Sequence, residues 1–267
     1  MNDDLVICLH GFLGSPASWV RVAAALRGLG ATVEAPWLPG HGPDPHHTDA
    51  RSFDEVVDRL AGDLLGERTA GRRAILIGYS LGGRIALALA ARFPERVRAV
   101  LAIGASTGLD SEDERARRLA WEAGLVQDLN LRGLEAFVDA WQALPLFATQ
   151  ALLPADVLSV QRRARLGHDP AAIAWALSAL GTGSMPSLLP RLVKTAVPTL
   201  FAVGALDERA LDVARRAMGV LPRAEVAVVP GAGHNLLLEA PSTVVELAVE
   251  LARTQLSQAA RLEVEAS

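Results

Sequence analysis

A chain of 267 residues, 51% hydrophobic, 21% charged and 4% aromatic, has the composition of a globular protein and excludes a disordered or fibrous one. Its 26 Lys plus Arg against 30 Asp plus Glu give a formal charge of -4 without any basic block, so no nucleic-acid partner is expected. Mean hydropathy is +0.26, yet no apolar run approaches the roughly 20 residues of a spanning helix, and no membrane partner is expected.

The acidic start Met1-Asn2-Asp3-Asp4 lacks the positive region of a secretory signal, which makes the cytoplasm the expected location. Residues 5–9 read as a buried strand that holds the single cysteine, Cys8, as a small core residue. Ser15 and Pro16 mark an N-cap and first helical position, and the helix stops at Gly28 and Gly30. A second strand covers 32–35, and Pro39-Gly40-His41-Gly42-Pro43 is a turn that His41 is expected to brace. Ser52 and Glu55 open the next helix as a capping box.

Strands over 74–78 and 96–103 bracket a helix over 81–92, the alternation of parallel βαβ units. From about 110 to 190 the chain reads as almost wholly helical. Strand and helix then alternate again: 198–203, 209–220, 224–229, and a last helix from about 242 past 251. The polar tail beyond about Thr254 is left unassigned. The expected organisation is α/β, a mostly parallel sheet flanked by helices. Residues 1–109 and 191–267 form its core, and 110–190 form a helical cap inserted between the two stretches. Monomer and homo-oligomer both stay open.

Gly78-Tyr79-Ser80-Leu81-Gly82 falls between a predicted strand and a predicted helix, the context in which G-x-S-x-G makes a nucleophile elbow. Ser80 is then nucleophile or base, and a serine hydroxyl needs a histidine to take its proton and a carboxylate to orient that histidine. Asp207 follows the strand over 198–203 and His234 follows the strand over 224–229, so both lie at the sheet edge that carries Ser80. The competing readings are a helix N-cap for Asp207 and a loop residue for His234. The loop after the first strand, at His10-Gly11-Phe12, assigns an oxyanion hole to the backbone N–H groups of Phe12 and Leu81. His46-His47 lacks a third ligand at metal spacing, and no metal is expected.

Arginine narrows the chemistry. Arg84 follows Ser80 by one helical turn and points a cation toward the pocket floor. The helical region adds Arg115, Arg117 and Arg118, then Arg162, Arg163 and Arg165. Individually these read equally well as solvated helix faces, but as a set they call for a substrate with several carboxylates, which guanidinium forks pair bidentately.

Leu9-His10-Gly11-Phe12-Leu13-Gly14, Gly78 to Arg84, Gly108-Leu109 with Glu114-Arg115 and Arg117-Arg118, Trp141 with Pro145-Leu146-Phe147, and Gly181 to Leu188 carry a resemblance over essentially the whole chain. It is to the α/β-hydrolase superfamily, and within it to the 2-succinyl-6-hydroxy-2,4-cyclohexadiene-1-carboxylate synthases of menaquinone biosynthesis. The resemblance implies an α/β-hydrolase fold, no cofactor, a small polycarboxylate as substrate, and elimination of pyruvate from an enolpyruvyl cyclohexene with three carboxylates. It implies Ser80, Asp207 and His234 as catalytic triad, and Arg84, Arg118, Arg165, Tyr79 and Trp141 as substrate-binding residues, with Arg115 as a further neighbour. The chain departs from the family at His168-Asp169-Pro170, where an Asn usually precedes the proline, and at Glu208-Arg209-Ala210, where a lysine and an aromatic are usual. The alternative is a serine hydrolase of a small ester or of a carbon–carbon bond, for which the same three residues suffice.

Overall fold

The computed structural model describes residues 5–42, 49–66 and 72–265; His46-His47 lies outside them. Six strands form one sheet: β1 (Leu5–Leu9), β2 (Thr32–Glu34), β3 (Ala74–Tyr79), β4 (Val97–Ile103), β5 (Thr199–Gly204) and β6 (Ala224–Val229). Their order is β2-β1-β3-β4-β5-β6 with every pair parallel. Each expected strand is present within a residue or two. β5 begins at Thr199, after Pro198, which has no N–H to give to a ladder.

All five residues of β1 are buried because both faces of the sheet are covered. Leu5, Ile7 and Leu9 point into one core and Val6 and Cys8 into the other, as the two-residue period of a strand requires. The first core packs α2 (Phe53–Leu65), α3 (Leu81–Arg92) and, later in the chain, α8 (Glu208–Val220). The second packs α1 (Val20–Arg27) and α10 (Pro241–Glu265). Burial pushes the Cys8 thiol up to about 12, so it is an inert core group.

Two local expectations are refined. Ser15 and Pro16 do stand at the N-cap and first position of a helix, but it is a 3-10 turn, Pro16–Trp19, to which Ser15 gives no side-chain cap; α1 starts at Val20. The last helix runs on to Glu265, well past Thr254: Val244, Ala248 and Ala252 keep one apolar face in the second core. At α2, Ser52 Oγ accepts from Glu55 N at 3.3 Å while Glu55 reaches back to the N–H of Arg51 at 2.8 Å.

Between β4 and β5 the described chain holds helices and turns and no strand: α4 (Glu112–Gln142), a 3-10 stretch (Pro145–Leu152), α5 (Ala155–Leu166), α6 (Pro170–Leu180) and α7 (Leu189–Leu192). α4 is broken at Gly133, whose φ of 79° and ψ of 171° are not helical. Leu129, Phe137 and Val138 of α4 and Ile173, Ala174 and Leu177 of α6 close a third small core on Leu13, beside the end of β1. These helices therefore sit over the edge of the sheet where β1, β3 and β5 terminate. α9 (Leu236–Glu239) is a single turn after β6. No helix among the described residues is long and apolar enough to cross a membrane.

Candidate active site

Ser80 occupies the tight turn from β3 into α3 with φ 50° and ψ −107°, one of two non-glycine residues at positive φ among those described. That conformation is costly for a residue with a Cβ and persists only because its surroundings enforce it. Ser80 N–H donates to Ile103 O at 2.8 Å. A Cβ on Gly78 would stand 2.3 Å from Gly82 O, and one on Gly82 would stand 2.0 Å from Leu9 O, so no larger residue fits either place. The turn thrusts the Ser80 side chain up from the sheet.

Asp207 ends the loop after β5 and His234 lies in the loop after β6. His234 Nδ1 is 2.6 Å from Asp207 Oδ2, and His234 Nε2 is 3.1 Å from Ser80 Oγ. With an ionised carboxylate accepting from Nδ1–H, Nε2 keeps its lone pair toward the serine hydroxyl. Asp207 also N-caps α8, its Oδ1 accepting from Ala210 N at 3.1 Å, so one carboxylate serves the cap with one oxygen and meets His234 with the other. Burial raises the Asp207 carboxyl, but the bond and charge of His234, the Ala210 N–H and the nearby Arg209 outweigh it and hold it below its ordinary value.

Phe12, Tyr79, Ser80, Arg84, Arg118, Trp141, Arg165, Asp207 and His234 all line one cavity. Leu81 is the first residue of α3, where helix geometry gives its N–H no intrahelical acceptor. The Phe12 N–H has no protein acceptor among the described residues, although Leu13 N–H and Gly14 N–H beside it are both bonded. Burial pushes the Tyr79 phenol strongly up, so it stays a neutral hydroxyl.

The arginines separate by position. Arg84 is buried and gives one Nη1–H to Leu180 O at 2.8 Å. Arg165 is 5% exposed, lies 5.6 Å above the Phe147 ring and leaves Nη1 without an acceptor. Burial pulls both guanidinium groups down to about 10, still charged at neutrality. Neither is hydrogen-bonded to a carboxylate among the described residues. Arg118 donates Nε–H to Glu122 at 2.6 Å and stacks 4.4 Å over Trp121. Arg115 lies three residues earlier on α4 and does not line the cavity. Arg162 is turned to solvent against Asp139 and Glu135, and Arg117 and Arg163 are exposed.

The other described histidines, His10, His41 and His168, hold loops. Backbone N–H groups donate to His10 Nε2 (from Leu38, 3.0 Å), His41 Nε2 (from Leu13, 3.1 Å) and His168 Nδ1 (from Gly42, 3.2 Å). Each of those nitrogens is therefore unprotonated. The three rings meet edge to face, His10 to His41 at 5.0 Å and His41 to His168 at 5.4 Å. His41 thus braces its turn, as expected, and also the turn after β1. Asp169 turns away from the arginines to cap α6, accepting from Ala172 N at 2.8 Å. Among the described residues no cluster of three or more His, Cys, Asp or Glu is arranged to hold a metal.

Sequence reasoning missed three residues. Arg209 lines the cavity beside Asp207; its place after β5 does not reveal from sequence where its side chain lies. Glu239 brackets His234, accepting from Gly233 N at 2.6 Å and from Asn235 N at 3.1 Å. Glu122 is 3% exposed and joins Arg118 to Thr182 and Gly183. The i,i+4 spacing of Arg118 and Glu122 could have signalled their ion pair, but nothing local announces the bonds from Glu122 to Thr182 and Gly183 or the role of Glu239.

Residues 4–241 match the family model for the alpha/beta hydrolase fold. The chain is 33% identical over 241 residues to the putative 2-succinyl-6-hydroxy-2,4-cyclohexadiene-1-carboxylate synthase of Bacillus subtilis (strain 168), covering 90% of this chain and 86% of that one. It is 33% identical over 237 residues to the 2-succinyl-6-hydroxy-2,4-cyclohexadiene-1-carboxylate synthase of Serratia proteamaculans (strain 568), covering 88% of each. The solved structure of MenH from S. aureus superposes with a TM-score of 0.90 at 28% identity, over 96% of both chains.

Proposed function

The chain belongs to the alpha/beta hydrolase family and, within it, to the 2-succinyl-6-hydroxy-2,4-cyclohexadiene-1-carboxylate synthases, and we propose that it catalyses the reaction of that name in menaquinone biosynthesis. The substrate is 2-succinyl-5-enolpyruvyl-6-hydroxy-3-cyclohexene-1-carboxylate, and the products are the cyclohexadiene and pyruvate. The observation that carries this reading is the convergence of Arg84, Arg118 and Arg165 on the cavity that holds Ser80. A buried guanidinium without a carboxylate partner is costly, and an arriving carboxylate removes that cost. The substrate brings three: one on the ring, one on the succinyl chain and one on the enolpyruvyl group.

In this reading Ser80, His234 and Asp207 act as a base. Ser80 Oγ takes the proton from the ring carbon made acidic by the succinyl ketone, while its own proton passes to His234 Nε2; Asp207 holds the imidazole and stabilises its charged form. The electron pair left on carbon delocalises into the ketone. The N–H groups of Phe12 and Leu81 receive the negative oxygen, a contribution of typically about 2.7 to 4 kcal/mol for such a donor. The pair then returns through the ring double bond and breaks the bond to the enolpyruvyl oxygen, leaving a conjugated diene. His234 returns its proton as enolpyruvate tautomerises to pyruvate. Oxygen leaves carbon by elimination, so no acyl-enzyme forms.

Tyr79 contributes a neutral hydroxyl and Trp141 an indole wall. Residues 1–109 and 191–267 serve as the catalytic core and 110–190 as the cap that carries Arg118, Trp141 and Arg165. The test is pyruvate release from the tricarboxylate in a coupled assay with a simultaneous absorbance trace for the diene. The reading expects both signals together and their loss in Ser80→Ala. Release no faster than the spontaneous rate overturns it and directs attention to an ester and diketone panel.

A further inference from the structure

Glu122 is the one carboxylate that the described residues place directly against a cavity arginine, Arg118, by a hydrogen bond. Its side chain is buried, and both its oxygens are engaged: Oε1 accepts from Arg118 Nε at 2.6 Å and from Thr182 N at 2.8 Å, and Oε2 accepts from Gly183 N at 3.0 Å. The glycines of the 181–183 turn make room for it. A Cβ on Gly181 would stand 2.3 Å from Glu122 Oε2, and one on Gly183 would stand 3.0 Å from the same atom.

This arrangement ties α4 to the turn that follows α6. That turn begins just after Leu180, whose carbonyl receives Arg84, so two cavity arginines are anchored on neighbouring residues. The bond to Glu122 uses Nε of Arg118, and the Trp121 ring covers one face of the guanidinium. Neither Nη of Arg118 is bonded to a described residue, which leaves the two-pronged end that pairs with a carboxylate unspent.

We propose that Glu122 is a positioning residue for substrate recognition: it fixes the Arg118 guanidinium by its Nε edge and the 181–183 turn by two backbone N–H groups, presenting the Nη pair to one substrate carboxylate. The inference rests on Arg118 acting as a carboxylate ligand in the proposed reaction. A glutamate beside a substrate-binding arginine works against anion binding by charge alone, so its place there follows from orientation: an arginine ordered in advance loses less rotamer freedom when the substrate arrives.

Glutamine at this position keeps the shape but has one acceptor oxygen in place of two, and its NH2 faces a donor. The experiment is a double-mutant cycle of Glu122→Gln and Arg118→Ala, read as KM and kcat for the tricarboxylate, with circular dichroism and melting to establish folding. Glu122→Gln is expected to raise KM about tenfold, with kcat changed no more than about twofold, the loss of one charge-assisted hydrogen bond. In the Arg118→Ala background the same change is expected to do nothing further. A KM for Glu122→Gln equal to wild type, or effects that multiply in the double variant, overturns the positioning role while leaving the proposed reaction standing. A silent Arg118→Ala removes the carboxylate ligand and the positioning role together, and is recognised from that single variant. If Glu122→Gln does not fold, Glu122→Asp, which keeps the charge and withdraws it by one methylene, runs through the same cycle: a raised KM that Arg118→Ala abolishes supports the role, and an unchanged KM or multiplying effects overturn it.

Discussion

Asp207 and His234, 27 residues apart in sequence, meet at 2.6 Å through an oxygen of a carboxylate whose other oxygen starts helix α8. The two duties can be separated by substitution. Asparagine caps a helix about as well as aspartate, yet it cannot accept from Nδ1–H with an ionised oxygen. Asp207→Asn is expected to melt near the wild-type temperature and to lose about 10³ to 10⁴-fold in kcat. Asp207→Ala should lose the same activity and a further 1 kcal/mol or so of stability with the cap. Urea denaturation beside steady-state kinetics checks both, and full activity in the asparagine variant would remove Asp207 from the base assembly.

Arg84 is buried and has no carboxylate partner among the described residues, whereas Arg117 lies on the exposed face of α4. Arg84→Ala is expected to reduce kcat/KM for the tricarboxylate about 100-fold, near 2.7 kcal/mol, the range for leaving a buried charge unpaired. Turnover of a small neutral ester, which has no anion for it, should fall far less. Arg117→Ala should leave both unchanged. Equal losses on the two substrates would assign Arg84 to packing, through its bond to Leu180 O.

His10, His41 and His168 are held neutral by burial, and His10 is pushed down to about 4. Their folded values lie below the unfolded value of about 6.5, so below that pH the unfolded chain binds more protons. The trio's contribution is whole above about pH 6.5 and declines as pH falls, by about 1.4 kcal/mol per unit for each histidine while its folded form stays neutral. His168→Gln keeps an acceptor for Gly42 N–H and deletes one titration. Its stability should fall less steeply between pH 6 and 5, by about that slope. Parallel urea stabilities for the two proteins across that range would show that His168 takes up its proton without unfolding.

The Asp169 carboxylate caps α6, accepting from Ala172 N. Asp169→Ala is expected to cost about 1 kcal/mol in urea denaturation and to leave KM for the tricarboxylate within twofold. A tenfold change in KM would place its charge within reach of the substrate.

The sheet and the elbow were legible because each depends on short-range pattern. β1 and β3 are unbroken apolar runs, and Gly78 and Gly82 flank Ser80 between a strand and a helix. Asp207 and His234 were legible at one remove, since parallel strands end on a common edge. The arginine runs were only partly legible. Periodicity does not say which turn of a helix meets the cavity, and three residues at about 1.5 Å each carry Arg115 clear of it. Glu122 showed only as an i,i+4 neighbour of Arg118; its link to the turn after α6 stayed hidden because those backbone partners lie 60 and 61 residues away. The histidine trio stayed hidden for the same reason, His168 bonding across 126 residues to Gly42.

The distance along the chain between Ser80 and His234 also has a meaning in time. The 154 positions from Ser80 to His234 take roughly 8 to 30 s to synthesise at about 5 to 20 residues per second. Through that interval the emerging polypeptide carries the elbow serine without its His234 partner, and β4 must pair before Ile103 can anchor the Ser80 N–H. The Ser80–His234 contact therefore forms late, after β5 and β6 complete the sheet.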